Sequence, residues 1–272
     1  MEFTDTTVAI LGLFAIVHSV YWIVGGYFLL VDFTGRPKWM HKYKTQPGKN
    51  EPLDWKLKIP IVNNGQICEN RVDFGRVKEV FMIISLNQFV AVPFTIGYLY
   101  LLKWIGCDFS RTMPSIFELI RDLIVCMFVE EIGFYYTHRI LHLPFLYKTV
   151  HKRHHSWTAP IGVTAAYAHP FEFFCSNLIP LAVGPMLCLS NIITVWVWWA
   201  VATIVTIIHH SGYHLPLLPS PEFHDFHHLR FTGNYGVLGI LDWFHATDRE
   251  FRKSKQFKRN KIIFTSREMT SG

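Results

Sequence analysis

The stretch HRILHLPFLYKTVHKRHH, residues 138–155, contains five of the fifteen histidines in this chain. A second stretch, HSGYHLPLLPSPEFHDFHH at residues 210–228, contains five more. The ten histidines form four clusters: His138 and His142; His151, His154 and His155; His210 and His214; and His224, His227 and His228. Neutral imidazole is a good ligand for iron, zinc, copper and nickel. Four such clusters in under a hundred residues therefore indicate a metal site rather than unrelated core histidines.

The spacing within the clusters predicts how the imidazoles share metals. Residues three or four apart return to the same face of a helix, so His138/His142 and His210/His214 each present two imidazoles in one direction. In each His-x-x-His-His cluster, the first two histidines are predicted to share a face, and the third points about 100° away. That third histidine could serve a second ion. Ten imidazoles exceed the three or four ligands of one zinc site, so the sequence predicts two ions.

The composition predicts an integral membrane protein. Hydrophobic residues make up 50% of the chain, aromatic residues make up 16%, and the mean hydropathy is +0.22, all above the usual range for a soluble domain. A bilayer core of about 30 Å is crossed by about twenty apolar residues. We predict apolar spans at residues 8–31, 80–105, 116–136, 173–189 and 191–208, of which the last two form a membrane hairpin. The predicted fold is all-α, with about four to five membrane-embedded helices and a cytosolic, histidine-rich helical lobe that holds a dimetal site.

The distribution of basic residues predicts the orientation. The loop at residues 32–79 contains ten Lys and Arg residues, and residues 211–272 contain nine. The loop between the second and third spans contains only Lys103 and Arg111. Since basic loops remain on the cytoplasmic side, the histidine clusters are expected to be cytosolic. The net charge of +6 suits an anionic membrane surface, and the dispersed basic residues predict no nucleic-acid partner.

No repeat or low-complexity segment divides the chain. We divide it into N-terminal spans with the basic loop (1–127), a histidine-rich catalytic region (128–251) and a basic C-terminal tail (252–272). The 8–31 stretch lacks a basic flank and a cleavage site, so we interpret it as a retained span rather than a signal peptide. The five cysteines include no Cys-x-x-Cys pair and predict neither a disulfide framework nor a zinc site: Cys68, Cys107, Cys126, Cys175 and Cys188.

The donor set favours oxidation over hydrolysis. The His-Glu-x-x-His signature of zinc proteases does not occur in the sequence. Soluble diiron oxygenases use glutamates and Glu-x-x-His pairs, and too few glutamates lie near these histidines for that arrangement. Iron activates O₂ and zinc does not, so a histidine-rich diiron centre predicts oxidation of an unactivated C–H bond. A substrate dissolved in the bilayer would explain the spans.

Five blocks of sequence resemble a known family. They are YTHRILH (136–142), YKTVHKRHH (147–155), APIGVTAAYAHPFE (159–172), HHSGYHLP (209–216) and FHDFHHLRFTGNYG (223–236). Together they resemble the fatty acid hydroxylase and sterol desaturase superfamily of membrane oxygenases and, within it, the C-4 methylsterol oxidases. The resemblance covers residues 128–251, whereas the N-terminal part matches only in its hydrophobic layout.

The resemblance implies a multi-pass enzyme of the endoplasmic reticulum that uses two irons and O₂. It implies oxidation of a lipid, most closely the C-4 methyl group of a sterol precursor, with fatty-acyl and sphingolipid hydroxylation as alternatives. Electrons would come from NAD(P)H through a cytochrome b5-type carrier and its reductase. The chain has no Gly-rich nucleotide fingerprint, so a separate redox partner is expected.

The resemblance also implies which residues hold the metals. Carried over position by position, the ligands are His138, His142, His151, His154, His155, His210, His214, His224, His227 and His228. Methylsterol oxidases that read HSGYD carry an acidic residue at the position of His214, so this side chain is either a ligand or a support for one. His169, in AHPFE, is either an additional ligand or lines the entrance. The remaining histidines are expected to be non-ligands: His18, His41, His209 and His245.

Several acidic and aromatic residues are candidates for supporting roles. Glu172 could orient a metal-bound imidazole as a hydrogen-bonded carboxylate, and Glu130 or Glu131 could do the same; interfacial hydration is the alternative for each. Asp225 and Asp242 share this ambiguity. The glycines at Gly233 and Gly236 predict a tight turn beside the site. The tryptophans of the last span favour a lipid-facing belt over the alternative of a sterol pocket: Trp196, Trp198 and Trp199.

Two other functions fit the same histidines. A divalent-metal transporter would place its ligands near the bilayer midplane on paired broken helices and would show internal repeats, neither of which is visible in the sequence. A catalytically silent sterol-binding protein with structural zinc would keep the clusters without the reaction. Tightly bound metal and turnover distinguish the three.

Overall fold

The computed structural model describes residues 4–50, 62–63, 66–67, 74–110 and 112–264. Parts of the predicted basic loop and tail, together with Cys68 and Arg111, lie outside these residues. The described chain is helical apart from two antiparallel two-residue strands, β1 (Val62–Asn63) and β2 (Gln66–Ile67). The helices are α1 (Asp5–Thr34), α2 (Phe74–Trp104), α3 (Ile116–Leu141), α4 (Pro144–Thr149), α5 (Pro170–Glu172), α6 (Ile179–Cys188), α7 (Ile192–His210), α8 (Glu222–Arg230), α9 (Ile240–His245), α10 (Arg249–Arg252) and α11 (Lys255–Arg259), with 3₁₀ turns at Lys38–Tyr43, His151–Ser156 and Gly162–Ala166 and a π-helical turn at Phe173–Leu178.

Four helices are long and apolar enough to cross a membrane. They are Asp5–Thr34, Gly75–Trp104, Pro170–Cys188 and Ile192–His210. The remaining predicted span, residues 116–136, forms the helix α3 but is not one of the four, because charged side chains recur along it. The all-α fold is therefore confirmed, with four helices of membrane-spanning length and composition and with α3 lying along α6 beside them. The predicted hairpin is present as α6 and α7, separated by a turn at Leu189.

Small residues allow the long helices to pack closely. α1 lies along α7, and α3 lies along α6. A Cβ atom on Gly184 of α6 would lie 2.6 Å from the Cα atom of Cys126 in α3. A Cβ atom on Gly12 of α1 would lie 2.4 Å from Cζ2 of Trp196 in α7. Close approach at small residues is typical of helix pairs in membranes, where apolar burial gives little driving force.

The tryptophans of α7 face other helices rather than lipid. Trp198 and Trp199 are only 4% and 5% exposed, and the indole N–H of Trp198 donates to the carbonyl of Leu181 at 2.9 Å. The indole N–H of Trp196 donates to the carbonyl of Ala9 at 3.2 Å. The predicted lipid-facing belt is therefore wrong, because α7 packs between α1 and α6 and its aromatic side chains fill those contacts.

Side chains of α1 and α2 fix the segment that follows the second histidine cluster. The Tyr21 hydroxyl donates to the carbonyl of Val163 at 2.7 Å. The Asn87 amide donates to the carbonyls of Ala166 and Ala168 at 3.0 and 2.9 Å. Residues between the second and third clusters are thereby held against the first two spans, close to the ends of α3 and α7 that carry histidines.

Replacing Gly184 with Ala is expected to destabilise the protein by about 1–3 kcal/mol, because the added methyl group overpacks the contact between α6 and α3. Gly97→Ala is the matched control, since a Cβ atom on this glycine of α2 meets nothing within 4 Å. Both changes raise intrinsic helix propensity by a similar amount. Melting temperatures in detergent should therefore fall for Gly184→Ala only, and equal melting temperatures for the two variants would contradict the close contact.

Candidate metal centre

Nine of the candidate histidines converge in two groups. The first contains His138, His142, His151, His155 and His227, and the second contains His154, His210, His224 and His228. Within each group, the possible ligand atoms all lie within 4.8 Å of one another. The residues come from the C-terminal ends of α3 and α7, the 3₁₀ turn at His151–Ser156 and the short helix α8. The predicted gathering of four clusters into two sites is thus present.

The pairing within the His-x-x-His-His clusters differs from the prediction. His151 and His155, four residues apart, share the first group, and His154 between them joins the second. In α8, His224 and His228 share the second group, and His227 joins the first. The predicted pairing of the first two histidines in each cluster is therefore wrong. Local spacing allows both the i, i+3 and the i, i+4 pair, and the positions of α3 and α7 decide between them.

The Nε2 atoms point towards one another within each group. In the first group, Nε2 of His151 lies 3.1 Å from Nε2 of His138, 3.0 Å from that of His142 and 2.9 Å from that of His155. In the second, Nε2 of His210 lies 3.3 Å from Nε2 of His154 and 3.0 Å from Nε2 of His224. Nitrogen atoms about 2.1 Å from one ion and at right angles around it would lie about 3 Å apart.

The other ring nitrogens fix the tautomers. The Nδ1 atoms of five of these histidines face backbone carbonyls, which only accept hydrogen bonds, so Nδ1 carries the proton and Nε2 keeps its lone pair. The pairs are His138 with Tyr235 (2.7 Å), His154 with Tyr167 (3.3 Å), His210 with Thr206 (2.8 Å), His227 with Gly233 (2.7 Å) and His228 with Trp157 (3.0 Å).

Such an arrangement fits bound cations. Lone pairs that converge at about 3 Å repel one another unless a positive ion lies between them. Burial also lowers the pKa of His142 to about 2 and that of His154 to about 4, and it lowers the pKa values of His227 and His228 well below the usual range. These imidazoles are therefore neutral at pH 7, which is the form that binds metals.

Glu172 contacts the first group on the side opposite the converging Nε2 atoms. Its Oε1 atom lies 2.8 Å from Nδ1 of His151, and both side chains are almost fully buried. The carboxylate and the imidazole are close enough for the orienting role that the sequence suggested for Glu172, although their present orientation does not form a hydrogen bond. A carboxylate at this position fixes the ring orientation and makes the opposite nitrogen a stronger ligand.

Glu131 and Asp242 act on backbone rather than on imidazoles. Glu131 accepts hydrogen bonds from the N–H groups of Val237 and Leu238, each at 2.8 Å. Asp242 accepts from the N–H groups of Tyr235 and Gly236 at 2.8 and 2.7 Å. They hold the loop that supplies the Tyr235 carbonyl to His138. The predicted tight turn beside the site is present, whereas the suggested contact of Glu131 with an imidazole is wrong, because its oxygens are used by this loop.

The structure places His169 and His214 outside both groups. Nδ1 of His169 accepts a hydrogen bond from the N–H of Phe171 at 3.1 Å and caps α5. Nε2 of His214 donates to the carbonyl of Lys261 at 2.8 Å, and its Nδ1 lies 3.7 Å from Oε1 of Glu222. Neither residue joins the converging ligand atoms of either group, so their predicted roles as ligands find no geometric support here.

The C-terminal segment crosses behind α8. Asp225 accepts hydrogen bonds from Thr45, Gln46 and Gln256 at 3.0, 3.1 and 3.1 Å rather than contacting an imidazole. The guanidinium of Arg259 lies 2.8 Å from the buried Glu222 carboxylate. These contacts, together with His214, join the segment after α1 and the C-terminal segment to α8, the helix that carries the fourth cluster.

The four histidines predicted to be non-ligands also lie outside the two groups. His41 hydrogen-bonds the carbonyl of Gly35 at 2.9 Å, and His245 hydrogen-bonds the Tyr136 hydroxyl at 3.0 Å. His209 is nevertheless close to the second group. It lines the same cavity as the metal groups, and its ring centroid lies 6.4 Å from that of His224.

An apolar cavity leads from the two groups into the helical bundle. Side chains from both groups line it, including His138 and His151 of the first and His154, His210 and His224 of the second. Along α7 the lining runs from His210 to Trp199, which corresponds to about 16 Å at 1.5 Å per residue. The far end is formed by Leu13, Phe14, Leu181 and Trp199. Sequence reasoning did not find this cavity, because its walls come from separate helices.

Comparison with known proteins identifies the same region. The fatty acid hydroxylase family model matches residues 123–247, which include all nine converging histidines. Fatty acid hydroxylase domain-containing protein 2 of Homo sapiens is 40% identical over 244 residues, which are 89% of this chain and 68% of that protein. Fatty acid hydroxylase ahd1 of Mycosarcoma maydis is 35% identical over 247 residues, covering 87% of this chain and 59% of that protein.

A third relative matches along nearly the whole chain. Methylsterol monooxygenase 2-2 of Arabidopsis thaliana is 30% identical over 271 residues, which are 95% of this chain and 92% of that protein. No solved structure matches. The two histidine groups, the apolar cavity beside them and the extent of these matches lead to one conclusion: the chain belongs to the fatty acid hydroxylase family.

Proposed function

We propose that this protein is a membrane-bound diiron oxygenase that hydroxylates a lipid, and that its substrate is the C-4 methyl group of a sterol precursor. The observation that carries the proposal is that both histidine groups open onto one apolar cavity between membrane-spanning helices. The family and its relatives support a lipid-oxidising oxidoreductase. The diiron centre and the sterol substrate go beyond that support.

The residues of the chain have distinct parts in this reaction. The nine converging histidines would hold two ions, and two irons, when bound, supply O₂ activation for the oxidation of a C–H bond. Backbone carbonyls and Glu172 hold the imidazoles in the orientation and tautomer that ligation needs. The apolar walls exclude water and position the lipid.

Support for a sterol substrate comes from the relatives. Methylsterol monooxygenases align along almost the full length of this chain. Fatty acid hydroxylases also match, so fatty-acyl and sphingolipid substrates are the alternatives. A metal transporter is disfavoured, because the two groups lie at helix ends and in short turns rather than on paired broken helices at the midplane. Turnover would separate the oxygenase from a silent sterol-binding protein.

We further propose the endoplasmic reticulum membrane as the location, with the histidine groups on the cytosolic side. The excess of basic residues on the side that carries the histidines supports this orientation. Electrons would come from NAD(P)H through a cytochrome b5-type donor and its reductase, since the chain has no nucleotide fingerprint of its own.

Purified protein is expected to contain about two tightly bound metal ions per chain, in view of its two sets of imidazole ligands. His142→Ala in the first group and His224→Ala in the second should each reduce this to about one or fewer, because each leaves an incomplete ligand set. Metal content is measured by inductively coupled plasma mass spectrometry after dialysis against a weak chelator.

His169→Ala is the matched control, since it removes an imidazole that lies in neither group and should leave the metal content unchanged. Loss of one ion in His169→Ala, or full retention in His224→Ala, would contradict the ligand assignment. The identity of the ion has to be read from protein purified with iron supplied, because nitrogen ligands bind zinc more tightly than ferrous iron.

Membranes that contain the wild-type protein are expected to convert a 4-methylsterol to 4-hydroxymethyl and 4-carboxy products when NAD(P)H and O₂ are supplied. His154→Ala should lower the rate to background, because it removes a ligand of the second group. Products are followed by mass spectrometry with and without oxygen. No product from membranes with bound iron and a working electron donor would rule out the sterol and direct the search to fatty-acyl and sphingolipid substrates.

A further inference from the structure

Among the side-chain oxygens of the described residues that line the cavity, two are buried and have no hydrogen-bond partner: Oε2 of Glu172 and Oγ of Ser176. Nδ1 of His151, beside Glu172, is unpartnered as well. Glu172 and Ser176 are only 3% and 2% exposed. A buried polar atom without a partner destabilises the folded state. Two such oxygens in one cavity wall indicate that a polar group of a ligand completes them.

The local backbone brings the two residues together. Glu172 is the last residue of α5, and Ser176 lies four residues later in the π-helical turn at Phe173–Leu178, so the two side chains are about one turn apart. π-helical turns are rare and often occur at functional sites. The other oxygen of Glu172 lies 2.8 Å from Nδ1 of His151. A polar group bound between Glu172 and Ser176 would therefore lie next to the first histidine group.

The charge of the cavity determines which polar group fits. No Lys or Arg is found among the described residues that line the cavity, whereas two acidic residues, Glu130 and Glu172, line it. Away from the metal centre, a carboxylate, phosphate or sulfate would find no cation to pair with, and burying an unpaired charge is costly. A hydroxyl group can donate to a carboxylate oxygen and accept from a serine hydroxyl, so it matches both unpartnered atoms.

We propose that Glu172 and Ser176 form a hydroxyl-binding subsite that selects neutral lipid alcohols over lipid anions and over lipids without a hydroxyl group. The substrate hydroxyl donates to Oε2 of Glu172 and accepts from the Ser176 hydroxyl. This contact places a carbon close to that hydroxyl beside the metal centre. The subsite rests on the proposed function, since it describes how the same cavity chooses its lipid.

Binding of matched lipids to the purified, metal-loaded protein tests the subsite without relying on turnover. One series has three 4-methylsterols with the same ring system, carrying a free 3-hydroxyl, no 3-substituent or a 3-sulfate. A second series compares hexadecanol, hexadecane and palmitate. Affinities are obtained from the ligand-dependent rise in melting temperature. In at least one series, we expect the wild type to bind the alcohol about tenfold more tightly than the hydrocarbon or the anion.

Ser176→Ala is the informative variant, because it leaves Glu172 and its contact with His151 in place. It should reduce the preference for the alcohol to about twofold or less, with unchanged metal content. Thr203→Val is the matched control. Thr203 lines the same cavity, but its hydroxyl donates to the carbonyl of Trp199 at 2.7 Å, so this variant should keep the preference of the wild type.

Equal binding of alcohol and hydrocarbon in both series, tighter binding of the anion, or a preference that survives Ser176→Ala would each overturn the subsite. Turnover is read separately. A preference for the alcohol without any oxidised product would contradict the proposed reaction and leave the subsite standing. Equal rates of oxidation for the 3-hydroxyl and 3-deoxy sterols would support the oxygenase and overturn the subsite.

Discussion

The site depends on the hydrogen bonds that backbone carbonyls accept from the Nδ1 atoms of the histidines. A neutral imidazole has two tautomers. Only the one protonated at Nδ1 presents the Nε2 lone pair to a metal. The carbonyls of Tyr235, Gly233, Trp157 and Tyr167 select that tautomer. Each carbonyl is in a loop or turn, so the ligand set depends on segments that themselves carry no ligands.

Much of the remaining structure holds those segments in place. Glu131 and Asp242 bind the backbone of the loop at residues 235–238, and Asn87 binds the segment that contains Tyr167. The ion pair between Arg259 and the buried Glu222 holds α8 from the opposite side. Polar side chains from several helices thus act through backbone groups. This arrangement is expected in a membrane protein, where each buried donor and acceptor has to be satisfied within the protein.

Hydropathy and local periodicity were sufficient to predict the helical fold, the four membrane-length apolar helices and the nine histidines that converge. The sequence also led to a fifth span at residues 116–136 and to His169 and His214 as ligands, which the structure does not place in those roles. The pairing of the histidines was not predictable in the same way. His151 could share a metal with either His154 or His155 at helical spacing. Only the packing of α3 and α7 selects His155. Trp196 and Glu131 were misjudged for a related reason: their partners lie far away in the chain, at Ala9 in α1 and in the loop after α8.

Two pairs of consecutive residues divide between the two groups. His154 and His155 are adjacent on one backbone, and so are His227 and His228, yet the members of each pair belong to different groups. A peptide unit is rigid, so a displacement of either turn moves ligands of both groups at once. The two metal positions therefore move together. Binding of the two metals is therefore expected to be cooperative. A change that displaces the ligands of one metal also displaces ligands of the other, so it does not leave a working mononuclear site.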